Sequence, residues 1–403
     1  MARTVIFGII SLWLVTAIIK QPDEAFQAAL QGLTVWWNIV FPGLLPFLVL
    51  AELMLAFGAI HALSALLDPF MRRFAGLPGA AAWPLTLGWM TGYTAGAEAA
   101  ALLRRKQAVS RADAEWLIAV SYMPSPMFML VVIGSGFLHS PASGLFIALI
   151  VWLSAWIAAV ILRFLAVDSA RNKAAPPLME LRRLDNPFLR AGSALMAGRR
   201  EDGRSFGKAL GDAVTSGVQK LMTIGGFMIV FALVARLLQL SLPKRWAFLS
   251  FAGLYESHLG AYSASLLQSA SGTAVSLAAI AAVLAWGGWS GLLQVRSCCT
   301  GTDLRFFPFV LARITHAALA FGLALALWPS VNRLFITALE SRIAAVFAPG
   351  PVPGNGMLLP VRAQDLPSLW HHVPLVIAAI TLTTAVITGA SCLVWLLNRR
   401  RSV

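Results

Sequence analysis

The stretch TGYTAGAEAAALLRRK, residues 91–106, holds the decisive oddity of this chain. An apolar helical pattern is interrupted by Gly92 and Gly96, then followed at once by Glu98 and by Arg104, Arg105 and Lys106. Glycine adopts backbone angles that other residues avoid, so both positions are expected to break a helix. A helix restarting near Ala95 would aim its unpaired N–H groups at the break, an end that carries about half a positive charge and suits an anion. Thr91, Tyr93 and Thr94 add hydroxyls at the same place. The three basic residues fall at the far end of the short helix, where cations complement the dipole. Against this stands the plainer reading that the glycines only let membrane helices pack closely.

Outward from that stretch, the whole chain is apolar. Of its 403 residues 59% are hydrophobic and 12% charged, where a soluble domain carries about a quarter charged. The fold class that follows is an all-α polytopic membrane protein. Residues 5–19, 143–167 and 375–396 are uninterrupted apolar runs of spanning length, the first only just. That first run lacks a small-x-small cleavage site and reads as an uncleaved anchor.

The net charge of +14 does not indicate nucleic-acid binding, because the basic residues flank apolar segments. Residues 168–222 hold ten Lys or Arg, Arg182, Arg183, Arg199, Arg200 and Arg204 among them, against six acids, and the chain ends in Arg399, Arg400 and Arg401. Both regions are expected on the cytoplasmic side, against anionic lipid. Residues 329–370, poor in charge, are expected on the other. Three cysteines, Cys298, Cys299 and Cys392, make neither a disulfide framework nor a metal site, and are expected to pack as small apolar residues.

Between residues 35 and 137 the apolar sequence is cut repeatedly by Pro42, Pro46, Pro78, Pro84, Gly88, Gly92, Gly96, Pro124 and Pro126. Breaks at membrane depth are tolerated only where they are buried in protein or line a wet cavity, which predicts half-helices and re-entrant hairpins. The second half repeats the plan. Residues 37–58 resemble 220–240, residues 87–103 resemble 252–267, and residues 115–136 resemble 278–299. Three resemblances in one order indicate two repeats, expected to be of inverted topology, and paired interrupted segments point to a transporter site. The expected organisation is an N-terminal membrane helix (1–30), a first repeat (31–167), a basic linker (168–207), and a second repeat (208–328). An extracytoplasmic segment (329–370) with an amphipathic helix over 331–347 would follow, then a C-terminal membrane helix and basic tail (371–403).

In the second repeat, Glu256, Ser257 and His258 interrupt an apolar stretch. An ionisable group in a membrane marks a substrate path or a proton relay, unless its segment ends at the interface. Both readings stand for His258. The following segments add Ser121, Tyr122 and Ser125, then Ser290, Gln294 and Arg296. Arg296 either snorkels to the surface or pairs with a substrate carboxylate. Arg313 and His316 share a helix face, and Arg313 could supply a buried counter-charge to Glu256. No P-loop, HExxH or GxSxG is present, and no His, Cys or carboxylate cluster has zinc spacing, so neither an enzyme nor a cofactor or metal is expected.

These motifs resemble those of the sporulation integral membrane proteins of the YlbJ type, also called stage V sporulation protein V, within the wider gate-domain (nucleoside-recognition) group. TGYTAGAEAAALLRRKQAVSRADAEWLIA is similar to that family's SGYPxGA stretch and the basic segment after it. GLYES is similar to its GL(F/Y)E motif, and GGWSGLLQVRSCCTGTDLRFFPFVLARITHA to its Gly-Gly-x-Ser…Gln-Val block. Thr94 stands where the family has proline, Tyr122 where it has Asn, and an apolar residue near Leu292 where it has His. The resemblance implies transport of dipicolinic acid, possible alone or with calcium, across the outer forespore membrane during sporulation. Partners would then be this small anionic substrate and membrane lipids, with homo-oligomerisation left open. A concentrative nucleoside transporter and a membrane scaffold for other sporulation proteins are the alternatives.

Overall fold

The computed structural model describes residues 2–77, 79–165, 186–268 and 272–332, and all regular structure among them is helical. Helix α1 (Ala2–Lys20) leads directly into α2 (Pro22–Val35). Pro22 sits in the first turn, where a missing N–H costs nothing, and Asp23 and Glu24 complement the positive helix end. A π-helical segment, Trp36–Val40, carries α2 into α3 (Phe41–Ala56). Pro42 and Pro46 therefore do not cut the chain as expected. Pro42 falls in the first turn after the wider π segment, where fewer of its backbone bonds are missed, and Pro22–Ala56 runs as one spanning-length helix. The boundary expected at residue 30 lies within it.

Next come α4 (Ala59–Phe70), α5 (Ala82–Thr91) and α6 (Tyr93–Arg105). A methyl group on Gly96 would meet the Gly88 Cα at 2.8 Å, so α5 and α6 fold back on one another as a helical hairpin. Ser110 caps α7 (Arg111–Ser121), its hydroxyl accepting from the Asp113 N–H at 3.1 Å. The helix breaks at residues 122–125 and resumes as a π-helical segment, Phe128–Phe137. Helix α8 (Pro141–Leu165) returns beside it. The described part of the basic linker is α9 (Pro187–Asp202), docked on α4, where Arg190 bonds Asp68 at 3.0 Å.

Helix α10 (Phe206–Ser241) opens the second half, antiparallel to α2 and α3. Arg236 pairs with Glu24 at 2.8 Å and Lys220 with Glu52 at 3.3 Å, and Gly225 makes room for Trp36, whose indole donates to the Leu221 carbonyl. Tight turns over Lys244–Ser250 and Ala252–Leu254 lead to α11 (Ser257–Ser265). Then follow α12 (Thr273–Trp286), α13 (Gly288–Cys298) and α14 (Phe306–Val331).

Five described stretches are long and apolar enough to cross a membrane: Pro22–Ala56, Pro141–Leu162, Phe206–Ser241, Thr273–Cys298 and Phe306–Val331. Each half thus reads as a long helix, a folded-back element, a broken helix and a second long helix. The start of α7 meets the loop between α13 and α14, where Arg305 pairs with Glu115 at 2.8 Å. The end of the segment after α7 reaches α11, with the Phe137 and Tyr262 rings 5.4 Å apart. The two broken helices consequently run in opposite directions. The expected C-terminal helix and tail, the segment after residue 332 with its amphipathic helix, and Arg182 and Arg183 lie outside the described residues.

Candidate functional site at the junction of four helix breaks

Gly92 separates α5 from α6 with φ 105° and ψ −177°, and Gly287 separates α12 from α13 with φ 83°. Side-chain-bearing residues are strained at either pair of angles. A third break, residues 122–125, contains Pro124, which cannot donate to a helix ladder. The fourth lies at Tyr255 and Glu256, ahead of α11.

All four meet. The Tyr93 hydroxyl donates to the Leu284 carbonyl at 3.1 Å, and the Tyr122 hydroxyl to the Gly287 carbonyl at 3.3 Å. The Tyr93 and Tyr122 rings lie 4.8 Å apart. A Cβ on Gly92 would sit 3.7 Å from the Ser125 nitrogen. The backbone N–H of Ser290, which is buried, donates to the Tyr255 carbonyl at 2.9 Å, and the His258 ring centre is 4.3 Å from that of Phe128.

Arg313, on α14, is 2% exposed and holds this junction from behind. Its guanidinium donates to the carbonyls of Tyr122 at 2.7 Å, Ala285 at 3.3 Å and Ala119. Those carbonyls belong to the last turns of α7 and α12, whose orphan acceptors carry the negative ends of the helix dipoles. One cation thus closes two broken helices. Its Nε has no hydrogen-bond partner, and the Tyr122 and Phe309 rings cover it at 5.4 and 5.8 Å. The expected pairing of Arg313 with Glu256 is absent. His316, one turn on, lies 3.0 Å from the Val151 carbonyl and ties α14 to α8.

Glu256 is 3% exposed and caps its own helix. Oε1 accepts from the His258 N–H at 3.0 Å and Oε2 from the Leu259 N–H at 2.6 Å, while the His258 Nδ1 lies 2.6 Å from Oε1. The Ser257 hydroxyl is 3.4 Å from the same Nδ1. The positive end of α11 is therefore filled by a protein carboxylate. The start of α6, at Gly92, has no side-chain cap.

Other expected site residues divide. Ser121 is fully buried at the junction and its hydroxyl lacks a partner. Ser125 accepts from the Phe128 N–H at 3.2 Å and so caps the resumed helix. Thr91 spends its hydroxyl on the Leu87 carbonyl, while Thr94 is half-buried in the first turn of α6. Gly96 is no break, since it lies inside α6. Its missing side chain lets Gly88 and Ser121 approach, as Gly260 admits Gly253 in the second half. Gln294 and Arg296 lie along α13 away from the junction, with Arg296 exposed and its guanidinium 5.5 Å from the Phe306 ring centre.

A cavity of about 370 Å³ opens at that end, lined among others by Glu115, Arg296, Arg305, Phe306 and Phe309. Arg305 holds Glu115 through Nε at 3.0 Å, Nη2 at 2.8 Å and its backbone N–H at 3.0 Å, and Arg111 adds a bond at 3.0 Å. Burial pushes the Glu115 carboxyl up, but the Arg305 and Arg111 bonds outweigh it and hold it below the usual carboxylate range. Beside it, Arg104 forks onto Asp303 through two bonds at 2.9 Å, and Arg105 donates to the Cys298 carbonyl at 2.7 Å. The sequence reading missed Glu115, Asp303, Arg305 and Phe309. Glu115, directly before the apolar run WLIAV, was the one available signal, because its partner lies 190 residues away.

Residues 38–164 match the family model described as "Gate: Nucleoside recognition". The sporulation integral membrane protein YlbJ of Bacillus subtilis (strain 168) is 31% identical over 350 residues, covering 81% of this chain and 83% of that protein. No solved structure matches.

Proposed function

The chain belongs to the family of the sporulation integral membrane protein YlbJ, and on that premise we propose that it is a secondary transporter or channel for a small organic anion, dipicolinic acid, in the outer forespore membrane. The observation that carries the reading is Arg313, a buried cation bonded only to backbone carbonyls where four helix breaks meet. Glu256, the nearby acid, is already satisfied by His258 and by its own helix end. The junction therefore holds a cation that meets helix carbonyl ends and no acid, and the uncapped start of α6 adds positive character beside it. A planar aromatic dianion complements such a place, flanked as it is by Tyr93, Tyr122 and Phe128. We read the recurrence of element order, with broken helices running in opposite directions, as an inverted duplication of the kind that places substrate sites at repeat interfaces. The Arg104 and Arg105 end is then cytoplasmic, by the positive-inside rule.

The test is uptake of labelled dipicolinate, with and without calcium, into vesicles containing the protein, beside an Arg313→Lys variant. Saturable uptake that falls at least tenfold in the variant is expected. Absence of uptake under any imposed pH or calcium gradient overturns the reading. The description of the matched family model favours a second reading, nucleoside transport, and labelled uridine in the same vesicles decides between them. A scaffold role predicts a third pattern: transport of neither compound, and loss of sporulation function on deleting residues 182–204.

A further inference from the structure

The cavity beside α13 is not part of the junction, yet Phe309, which lines it, also lies against Arg313. Phe309 forms its floor and meets the Tyr122 ring edge-on at 5.2 Å, and Arg313 lies behind both. Its walls carry two guanidinium groups of opposite condition. Arg296 is exposed, with its planar group over Phe306 as its aromatic contact. Arg305 is clamped by Glu115, which reaches it in the bidentate geometry that a free carboxylate would use. Arg111 faces the same carboxylate from the first turn of α7.

We propose that this cavity is an entrance site for a planar aromatic carboxylate, and that Glu115 stands in for the ligand until it arrives. Arg296 makes the first ionic contact and the rings of Phe306 and Phe309 take the aromatic plane. The ligand's carboxylate then replaces that of Glu115 on Arg305, while Arg111 keeps Glu115 neutralised. One bidentate pair is exchanged for another, so no charge is left unpaired during entry. The loop from Cys299 to Arg305 stays tied to the first half during the exchange, by Arg104 on Asp303 and by Arg105 on the Thr300 carbonyl. The proposal rests on the anion-transport reading, but it concerns a separate site and has a separate readout.

Equilibrium dialysis of labelled dipicolinate against the purified full-length protein in detergent tests it, with thermal melting to confirm folding of each variant. The wild type is expected to bind saturably. Arg296→Gln, which removes an exposed positive charge, should weaken binding about tenfold. Glu115→Gln should tighten it several-fold, because the internal competitor is gone. A purely structural Glu115 would do the opposite, since its loss would loosen the loop and weaken binding. Wild-type protein that does not bind, an affinity untouched by Arg296→Gln, or a weaker affinity in Glu115→Gln would each overturn the entrance site. Uptake that persists alongside those results leaves the transport reading standing. Binding with the expected variant pattern but without uptake supports the site and removes the transport reading.

Discussion

The guanidinium of Arg313 donates to the carbonyl of Tyr122 at 2.7 Å, across 191 residues of sequence. That bond, with those to Ala285 and Ala119, converts two interrupted helices into one rigid junction. It also places an arginine in the interior without an acid to neutralise it, and the first prediction follows from it.

Arg313→Lys offers a point charge in place of a planar fork and cannot span carbonyls on two helices. Arg313→Leu leaves those carbonyls buried and unsatisfied, at a cost on the order of 3 kcal/mol. Melting of the purified variants should rank wild type above Lys and Lys above Leu. Equal melting temperatures would show that the three bonds do not hold the junction.

A methyl group on Gly291 would overlap the Tyr122 hydroxyl, whereas the ring carbon behind that oxygen is 3.2 Å away. Gly291→Ala should therefore destabilise by about 1–3 kcal/mol through overpacking. Tyr122→Phe in the same chain should recover most of that loss. A double-mutant cycle measured by thermal melting gives the coupling, and simple additivity would contradict the packing described.

Glu256 caps α11 through two N–H bonds. Glu256→Ala should cost about 1–2 kcal/mol, the usual value of a lost cap, because it leaves two buried N–H groups without an acceptor. If Glu256 instead carries protons or substrate and nothing more, the alanine variant will melt like the wild type while uptake disappears.

Glu115 lies outside the five spanning stretches, and its carboxyl is held below its ordinary range, with burial opposed by the Arg305 and Arg111 bonds. A group depressed on folding adds stability above its unfolded pKa of about 4.3, and that stability is lost as pH falls through the lower folded value. The melting temperature should accordingly drop below about pH 4.3 in the wild type and drop less steeply in Glu115→Gln. Identical acid limbs would mean that the pair contributes nothing.

Much of this protein was legible one residue at a time. Of the two glycines expected to break a helix among hydroxyls, Gly92 does so, and Glu256, Ser257 and His258 fall at a second break. Hydropathy alone gave the membrane class, because a bilayer demands long apolar helices whatever their neighbours are. The same rules misread Pro42, Pro46 and Gly96. Whether a proline interrupts a helix depends on the turn before it, and whether a glycine breaks or packs depends on what approaches it.

Tertiary structure alone settled the partners. The sequence placed Arg313 and Glu256 as two opposite charges in apolar surroundings, for which pairing is the simplest expectation. In the fold, each instead meets a helix terminus of the sign that suits it, Arg313 the carbonyl ends of α7 and α12 and Glu256 the N–H end of α11. Glu115 and Arg305, 190 residues apart, likewise gave no periodic signal. Local pattern determines which segments are helical and where they break. Which break faces which charge is decided by packing between distant segments, and backbone dipoles become binding partners only once that packing brings them together.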